Sequence, residues 1–274
     1  MSRELRMAEA DETVTICEAG QYMSPSGRRV ELAGAIRQAK AGTRLYSLQD
    51  LTPARHNPHQ SQTRITVSDE TTFSALQRLV EDNIHVACLN FASAKNPGGG
   101  FLAGAQAQEE SLARASALYP CLLSAPEYYE RNQMNRSAIY LDLVIYSPRV
   151  PFFRNDAGVL LEKPVLASVI SAPAPNAGAV AQNEPRNMSL VASTLRRRAE
   201  LILEIAVTQK VQRLVLGAWG CGVFRNDPPV VAATFAQLLK PPGRFAGLFQ
   251  HVVFAVYDRT ASHATFRAFM SALN

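Results

Sequence analysis

Gln108 and two adjacent carboxylates, Glu109 and Glu110, follow three glycines, Gly98-Gly99-Gly100, across a seven-residue spacer. The glycines themselves follow an apolar segment that ends in Asn90-Phe91, with Asn96 between the two. Bare backbone lets a ligand approach closely, and its amides can hold an oxyanion. Carboxylates beside such a loop can do general acid–base work. If Gln108-Glu109-Glu110 opens a helix, the two acids point about 100° apart and meet different partners. One can then anchor a ligand hydroxyl while the other transfers protons. Taken singly, each piece reads as structural, a turn and two acids favoured by a helix dipole. Their ordered conjunction after an apolar strand points to a site.

A second constellation, Gly217-Ala218-Trp219-Gly220-Cys221-Gly222-Val223-Phe224-Arg225-Asn226-Asp227-Pro228, also leads from an apolar strand through spaced glycines into a helix. That arrangement suits a phosphate at a helix N-terminus. The order is G-x-x-G-x-G, neither the dinucleotide GxGxxG nor a Walker loop, so a nicotinamide-dependent oxidoreductase is disfavoured. Phe224 can stack on a base, whereas Trp219 reads rather as a core residue. Asp227-Pro228 suits a helix start, with proline in the first turn.

Three further features carry less. His56 and His59 lie three apart around Pro58 with no other ligand cluster nearby, which disfavours a metal site. Arg196-Arg197-Arg198 points three ways around a helix and reads as a solvated face. Residues 174–178 form a possible third loop at the ligand edge, with few polar groups.

The elements that must position these groups alternate. Apolar spacing predicts helices over residues 27–41, from a cap at Ser68 or Asp69 through Val80, 109–123, 187–209, 228–239 and 262–273. Strands are expected over 43–48, 63–67, 86–91, 141–146, 166–172, 213–216 and 251–257. Residues 52–62, 148–151 and 173–185 read as irregular because of their prolines. The uninterrupted apolar run at 86–91 suits a strand covered on both faces, which would place the first glycine loop at the carboxyl edge of a sheet, where open α/β folds bind ligands. A mixed sheet between helical layers follows.

Composition sets the outer limits. Of the 274 residues, 47% are hydrophobic, enough for a large core, and the formal net charge of +5 is too modest to imply direct nucleic-acid binding. No apolar run approaches the roughly 18 residues of a membrane span, and residues 1–12 lack a secretory apolar core. Cys17, Cys88, Cys121 and Cys221 are widely spaced without a CxxC pair, which suits reduced thiols in a cytoplasmic protein, with Cys88 buried.

The order Gly-Gly-Gly, short spacer, Gln-Glu-Glu resembles the signature of the poly(ADP-ribose) glycohydrolases, which are built on the macrodomain fold. Residues 217–227 resemble the second ligand loop of the bacterial-type members, and the element order from about residue 64 onward is similar. The resemblance implies a three-layer α/β sandwich, with residues 1–60 as an N-terminal helical extension packed on a catalytic domain of residues 61–274. It implies Glu110 as the catalytic acid, Glu109 as a ribose anchor and Gln108 as support for the loop. Gly98, Gly99 and Gly100 would pack against the diphosphate and distal ribose. Gly220, Cys221, Gly222 and Val223 would wrap the diphosphate from the other side, Phe224 would stack on adenine, and Asn90 or Asn96 would contact ribose. A bound diphosphate and neighbouring Glu109 would favour a protonated Glu110 by like-charge repulsion. The implied partners are poly(ADP-ribose) or ADP-ribose and the ADP-ribosylated macromolecules that carry it. No cofactor or metal is implied. Plain ADP-ribose-binding macrodomains share the glycines but lack Gln-Glu-Glu. A non-catalytic reader and a hydrolase of another ADP-ribosyl linkage, to protein or nucleobase, are the alternatives.

Overall fold

The computed structural model describes residues 1–50 and 62–273; His56 and His59, with most of the expected loop around them, lie outside the described residues. Helix α1 (Arg3–Ala19) starts where the Ser2 hydroxyl accepts the Leu5 amide and stops at Gly20 in the left-handed region. Strands β1 (Gln21–Met23) and β2 (Arg29–Glu31) form a small antiparallel ribbon. The helix expected over 27–41 therefore begins only at α2 (Ala33–Gly42). Val30 belongs to the ribbon, where it is the one inward side chain of β2.

Next come β3 (Arg44–Ser47), β4 (Arg64–Ser68) and α3 (Thr72–Leu79). The cap of α3 is Thr71, whose hydroxyl accepts the Ser74 amide at 3.0 Å, rather than Ser68, which is still in the strand, or Asp69. Strand β5 (Val86–Phe91) lies where the apolar run predicts it. The single helix expected over 109–123 is two, α4 (Gln108–Ala115) and α5 (Leu118–Leu122). The break has a local and a tertiary cause: Pro120 cannot bond a helical Ser116 carbonyl, and Ser116 is extended and bridges Phe152 while the Ala117 amide donates to the Pro151 carbonyl at 3.0 Å.

Helix α6 (Pro126–Met134) starts at its proline, and β6 (Leu143–Arg154) pairs with β7 (Leu160–Ala172). Residues 148–151 are thus not irregular. Strand β6 passes through Pro148 and Pro151 because its register shifts between Ser147 and Val150, a bulge that tolerates a residue without an amide donor. Within the proline-rich 173–185 segment lies a short helix, α7 (Ala177–Asn183), capped by the Asn176 side chain. The chain ends with α8 (Ser189–Thr208), β8 (Arg213–Gly217), α9 (Pro228–Leu239), β9 (His251–Ala255) and α10 (Ala264–Leu273).

Seven strands form one mixed sheet in the order β3-β6-β7-β5-β8-β9-β4, in which β6 alone runs opposite to the others, pairing antiparallel with both β3 and β7. Alternate residues feed two cores. Ala87 and Leu89 of β5 pack with α8, α9 and α10; Val86 and Cys88 pack with α2, α3, α5 and α6. Both faces are covered, which explains the continuous apolar strands. Ligand-edge loops leave the carboxyl ends of three neighbouring strands, β7, β5 and β8.

Arg198 corrects the expectation of a solvated arginine face. Arg196 and Arg197 are half-exposed, but the Arg198 side chain is fully buried and donates to Asp142 Oδ1 at 3.1 Å, the Pro173 carbonyl at 2.6 Å and the Ile139 carbonyl at 3.1 Å. One guanidinium thus staples α8 to the end of β7 and to the segment entering β6. Removing one partner of such a buried pair typically costs about 3–5 kcal/mol. Arg198→Ala is accordingly expected to lower stability by about that amount, read from chemical denaturation midpoints, while Arg196→Ala leaves the midpoint nearly unchanged.

Candidate active site

The first turn of α4 faces the end of β5. Gln108 Oε1 accepts the Phe91 amide at 2.8 Å, and its Nε2 donates to the Leu89 carbonyl at 2.7 Å and to Thr72 at 3.1 Å. One side chain therefore satisfies backbone groups that the strand end leaves open. Glu109, only 3% exposed, turns inward. Its Oε1 accepts Asn90 Nδ2 at 3.2 Å and its Oε2 accepts the Ser93 amide at 2.6 Å. Asn90 is wholly buried and donates also to Ser171 Oγ of β7 at 3.0 Å.

Glu110 points elsewhere, as adjacent helical positions must. Its Oε1 accepts the Gly100 amide at 3.1 Å, and its Oε2 is shielded but has no hydrogen-bond partner among the described residues. Gly99 has a φ of +60°, and a Cβ there would collide with the Glu110 carboxylate. The left-handed backbone and the close approach both require glycine. Gly98 shares the left-handed turn, and the Asn96 carbonyl accepts the Gly99 amide at 3.0 Å. Asn96 and Lys95 are themselves pinned through their amides to Ser93 Oγ.

Burial pushes the Glu109 carboxyl up to about 8, with the Glu110 charge adding to the rise, against the lowering effect of its Ser93 and Asn90 hydrogen bonds. Nearby Tyr128 is completely buried, its hydroxyl donating to the Ser93 carbonyl at 3.3 Å; burial first and Glu109 second hold its phenol well above the usual range.

The second loop closes on itself through Asn226. Its Nδ2 donates to the Pro175 carbonyl at 2.8 Å and the Gly220 carbonyl at 3.1 Å, and its Oδ1 is left without a partner among the described residues. Trp219 is core: its Nε1 donates to the Ala172 carbonyl at 3.0 Å and its ring meets Phe235. Phe224 packs at 6.0 Å from Tyr140, and its carbonyl accepts the Gly178 amide at the start of α7. Gly222 has open space around it, Val223 is 82% exposed, and Cys221 is a thiol raised to about 12 by burial. Asp227 makes no side-chain cap; Pro228 simply opens α9.

Residues far apart in sequence therefore meet at one edge: Asn90, the loop 96–100 and Glu109-Glu110 from one side, the loop 217–227 and the third loop near Asn176 from the other. A match to the family described as microbial-type PARG, catalytic domain, spans residues 10–155. The crystal structure of poly(ADP-ribose) glycohydrolase from Thermomonospora curvata superposes with a TM-score of 0.92 at 48% identity, covering 98% of this chain and 100% of that one. The chain belongs to the microbial-type PARG catalytic-domain family. The Thermomonospora curvata enzyme bound to the inhibitor ADP-HPD gives a TM-score of 0.91 at 48% identity, over 98% of this chain and 99% of that one. The Deinococcus radiodurans enzyme in complex with ADP-ribose gives 0.83 at 52% identity, over 89% and 98%. Comparison with curated protein sequences returns no match. Within this family frame, Ser93, Ser171, Tyr128 and Tyr140 join the site's supports. Their signal in sequence was faint: Ser93 lies inside the first loop, whereas the others reach it only through the fold.

Two outcomes are expected. A folded-state carboxyl raised from 4.5 to about 8 binds its proton more tightly than in the unfolded chain. Its contribution to stability is complete below pH 4.5 and is lost as pH rises through about 8. Glu109→Gln should therefore shrink the fall in melting temperature between those two pH values, compared with the wild type. Gly99→Ala should displace the Glu110 carboxylate and lower turnover by roughly 10- to 100-fold in an enzyme that still melts cooperatively.

Proposed function

We propose that this chain hydrolyses the ribose–ribose O-glycosidic bonds of poly(ADP-ribose), releasing ADP-ribose, with Glu110 as general acid and base. The division between the two acids carries the reading. Both oxygens of Glu109 are engaged from the protein side, while Glu110 has one oxygen fixed by Gly100 and the other uncommitted. Membership of the family and the similarity to ADP-ribose- and inhibitor-bound glycohydrolases support the substrate class.

Cleavage of a glycosidic bond passes through an oxocarbenium-like state. Glu110 delivers its proton to the leaving ribose oxygen as the C–O bond breaks. Water then adds to the anomeric carbon and returns a proton to the Glu110 carboxylate, restoring the starting state. Glu109 holds ribose hydroxyls beside that carbon, oriented by the buried Asn90 behind it rather than joined by it at the sugar, and Gln108 keeps the strand end in place. Asn96 is a second ribose contact. Gly98, Gly99 and Gly100 admit the diphosphate and distal ribose to close approach. Gly220, Cys221, Gly222 and Val223 wrap the diphosphate, and Phe224 stacks on adenine. This chemistry needs no cofactor.

No helix among the described residues is long and apolar enough to cross a membrane. All four cysteines are unpaired, which suits the reducing cytoplasm in which we place the enzyme.

Incubation with defined poly(ADP-ribose) tests the assignment. The wild type should release ADP-ribose. Glu110→Gln should lose 10²–10⁴-fold or more in rate, a typical cost of removing a general acid, while still binding ADP-ribose in calorimetry. Full activity in a soluble Glu110→Gln variant would refute the role. A wild type that left polymer intact but released ADP-ribose from modified protein or nucleobase would move the function to that linkage.

A further inference from the structure

Between the third glycine and the acids, a single 3-10 turn (Phe101–Ala103) ends at Gly104. The N-terminal helix grips this turn from outside. Arg3 Nε donates to the Ala103 carbonyl at 2.9 Å, and Arg6 Nε donates to the Gly104 carbonyl at 2.7 Å. Arg6 Nη1 also donates to the Gln106 side-chain carbonyl at 2.9 Å. Helix and loop touch directly: at Gly104, with φ +73°, a Cβ would lie 2.7 Å from the Arg3 carbonyl oxygen and 2.9 Å from Met7 Cγ.

The inner side of the same loop leads to the acid. The Ala103 and Ala105 amides both donate to the Gly100 carbonyl, at 3.0 and 3.1 Å, and the Gly100 amide donates to Glu110 Oε1 at 3.1 Å. Arg114, one helical turn beyond Glu110, donates to the Ala105 carbonyl at 2.8 Å, and its own carbonyl accepts the α1 hydroxyl of Thr13 at 2.6 Å. An unbroken series of short contacts therefore joins α1 to the carboxylate. Long side chains at the surface usually keep their charge in water; these two arginines instead reach backbone carbonyls about a hundred positions away.

We propose that Arg3 and Arg6 of α1 are positioning residues for Glu110, clamping the 101–106 turn so that Gly100 holds the acid in place. The N-terminal extension expected to pack on the core would then be part of the catalytic apparatus. Both arginines precede residue 10, where the family match begins. The inference rests on Glu110 being the proton donor.

The test compares wild type, Arg3→Ala, Arg6→Ala and the double variant on defined poly(ADP-ribose), together with ADP-ribose affinity and amide hydrogen exchange over residues 100–107. The double variant should lose roughly 10- to 100-fold in kcat, the scale of a displacement near 1 Å. KM and ADP-ribose Kd should stay within about two-fold, and the Ala103 to Ala105 amides should exchange faster. Arg6→Lys should recover only part of the rate, since an ammonium lacks the guanidinium fork. Ser26→Ala removes a contact with Glu162 in the β1–β2 turn and serves as the control for general destabilisation, with kcat unchanged. An active wild type whose arginine variants keep full kcat overturns this proposal alone, whatever the exchange rates. A wild type that releases no ADP-ribose overturns the functional reading and this proposal with it.

Discussion

The buried carboxylate of Glu109 is the interaction on which the site depends. It stands where β5 ends and α4 begins, and it accepts the Asn90 side chain and the Ser93 amide. A carboxylate taken out of water must be hydrogen-bonded or protonated, and this one is pushed up to about 8 despite its two donors. That tension is tolerated because the same contacts fix the first turn of a helix. Once Glu109 is seated, the next residue is fixed too, about 100° around the axis. Glu110 can then face the glycine loop only one way.

The surrounding fold serves that seam. Two apolar cores on opposite faces of the sheet hold its strands in register, so Phe91 and Ala172 end level. Trp219 then ties the second loop to the same edge through the Ala172 carbonyl, and Asn226 ties it to Pro175. Arg198 fixes the adjoining segment from below by reaching Pro173 and Ile139. Of the four buried side-chain polar atoms without partners among the described residues, Asn90 Oδ1, Glu110 Oε2 and Asn226 Oδ1 lie in side chains that border this edge, and the fourth, the Tyr129 hydroxyl, is in α6. Unsatisfied hydrogen-bonding capacity thus gathers mainly along this edge.

What the sequence could disclose was local. Strand β5, the glycine turn, the divergence of the two acids and the proline start of α9 follow from neighbouring residues, and they were legible. The break after α4 was legible only in part: Pro120 lacks the amide that would bond a helical Ser116 carbonyl and its ring crowds it, but the contacts that extend Ser116 were not. Its backbone is drawn out by Phe152 and Pro151 in another strand. Nor was the strand through Pro148, where a bulge absorbs the missing donor. Arg198 was misread for the same reason: three consecutive arginines look alike until Asp142, Pro173 and Ile139 are brought to one of them. The supporting shell of the site, Ser171 and Tyr128 above all, is likewise a product of tertiary contact.

The two glycine loops differ in how closely they are held, and the difference suits the roles proposed for them. The first is bound at nearly every turn: Ser93 pins Lys95 and Asn96, Asn96 closes on Gly99, and Gly100 holds Glu110. The second is anchored at its base by Trp219 and Asn226, but its tip at Gly222 and Val223 projects into open space. Proton transfer gains most from groups held in place before the substrate arrives. Binding a flexible diphosphate and releasing it again needs a surface that can yield. On the proposed mechanism, an acid-bearing wall tied along its length faces a loop held at its base and at Phe224, with only the Gly222–Val223 tip standing clear, and that division suits both demands.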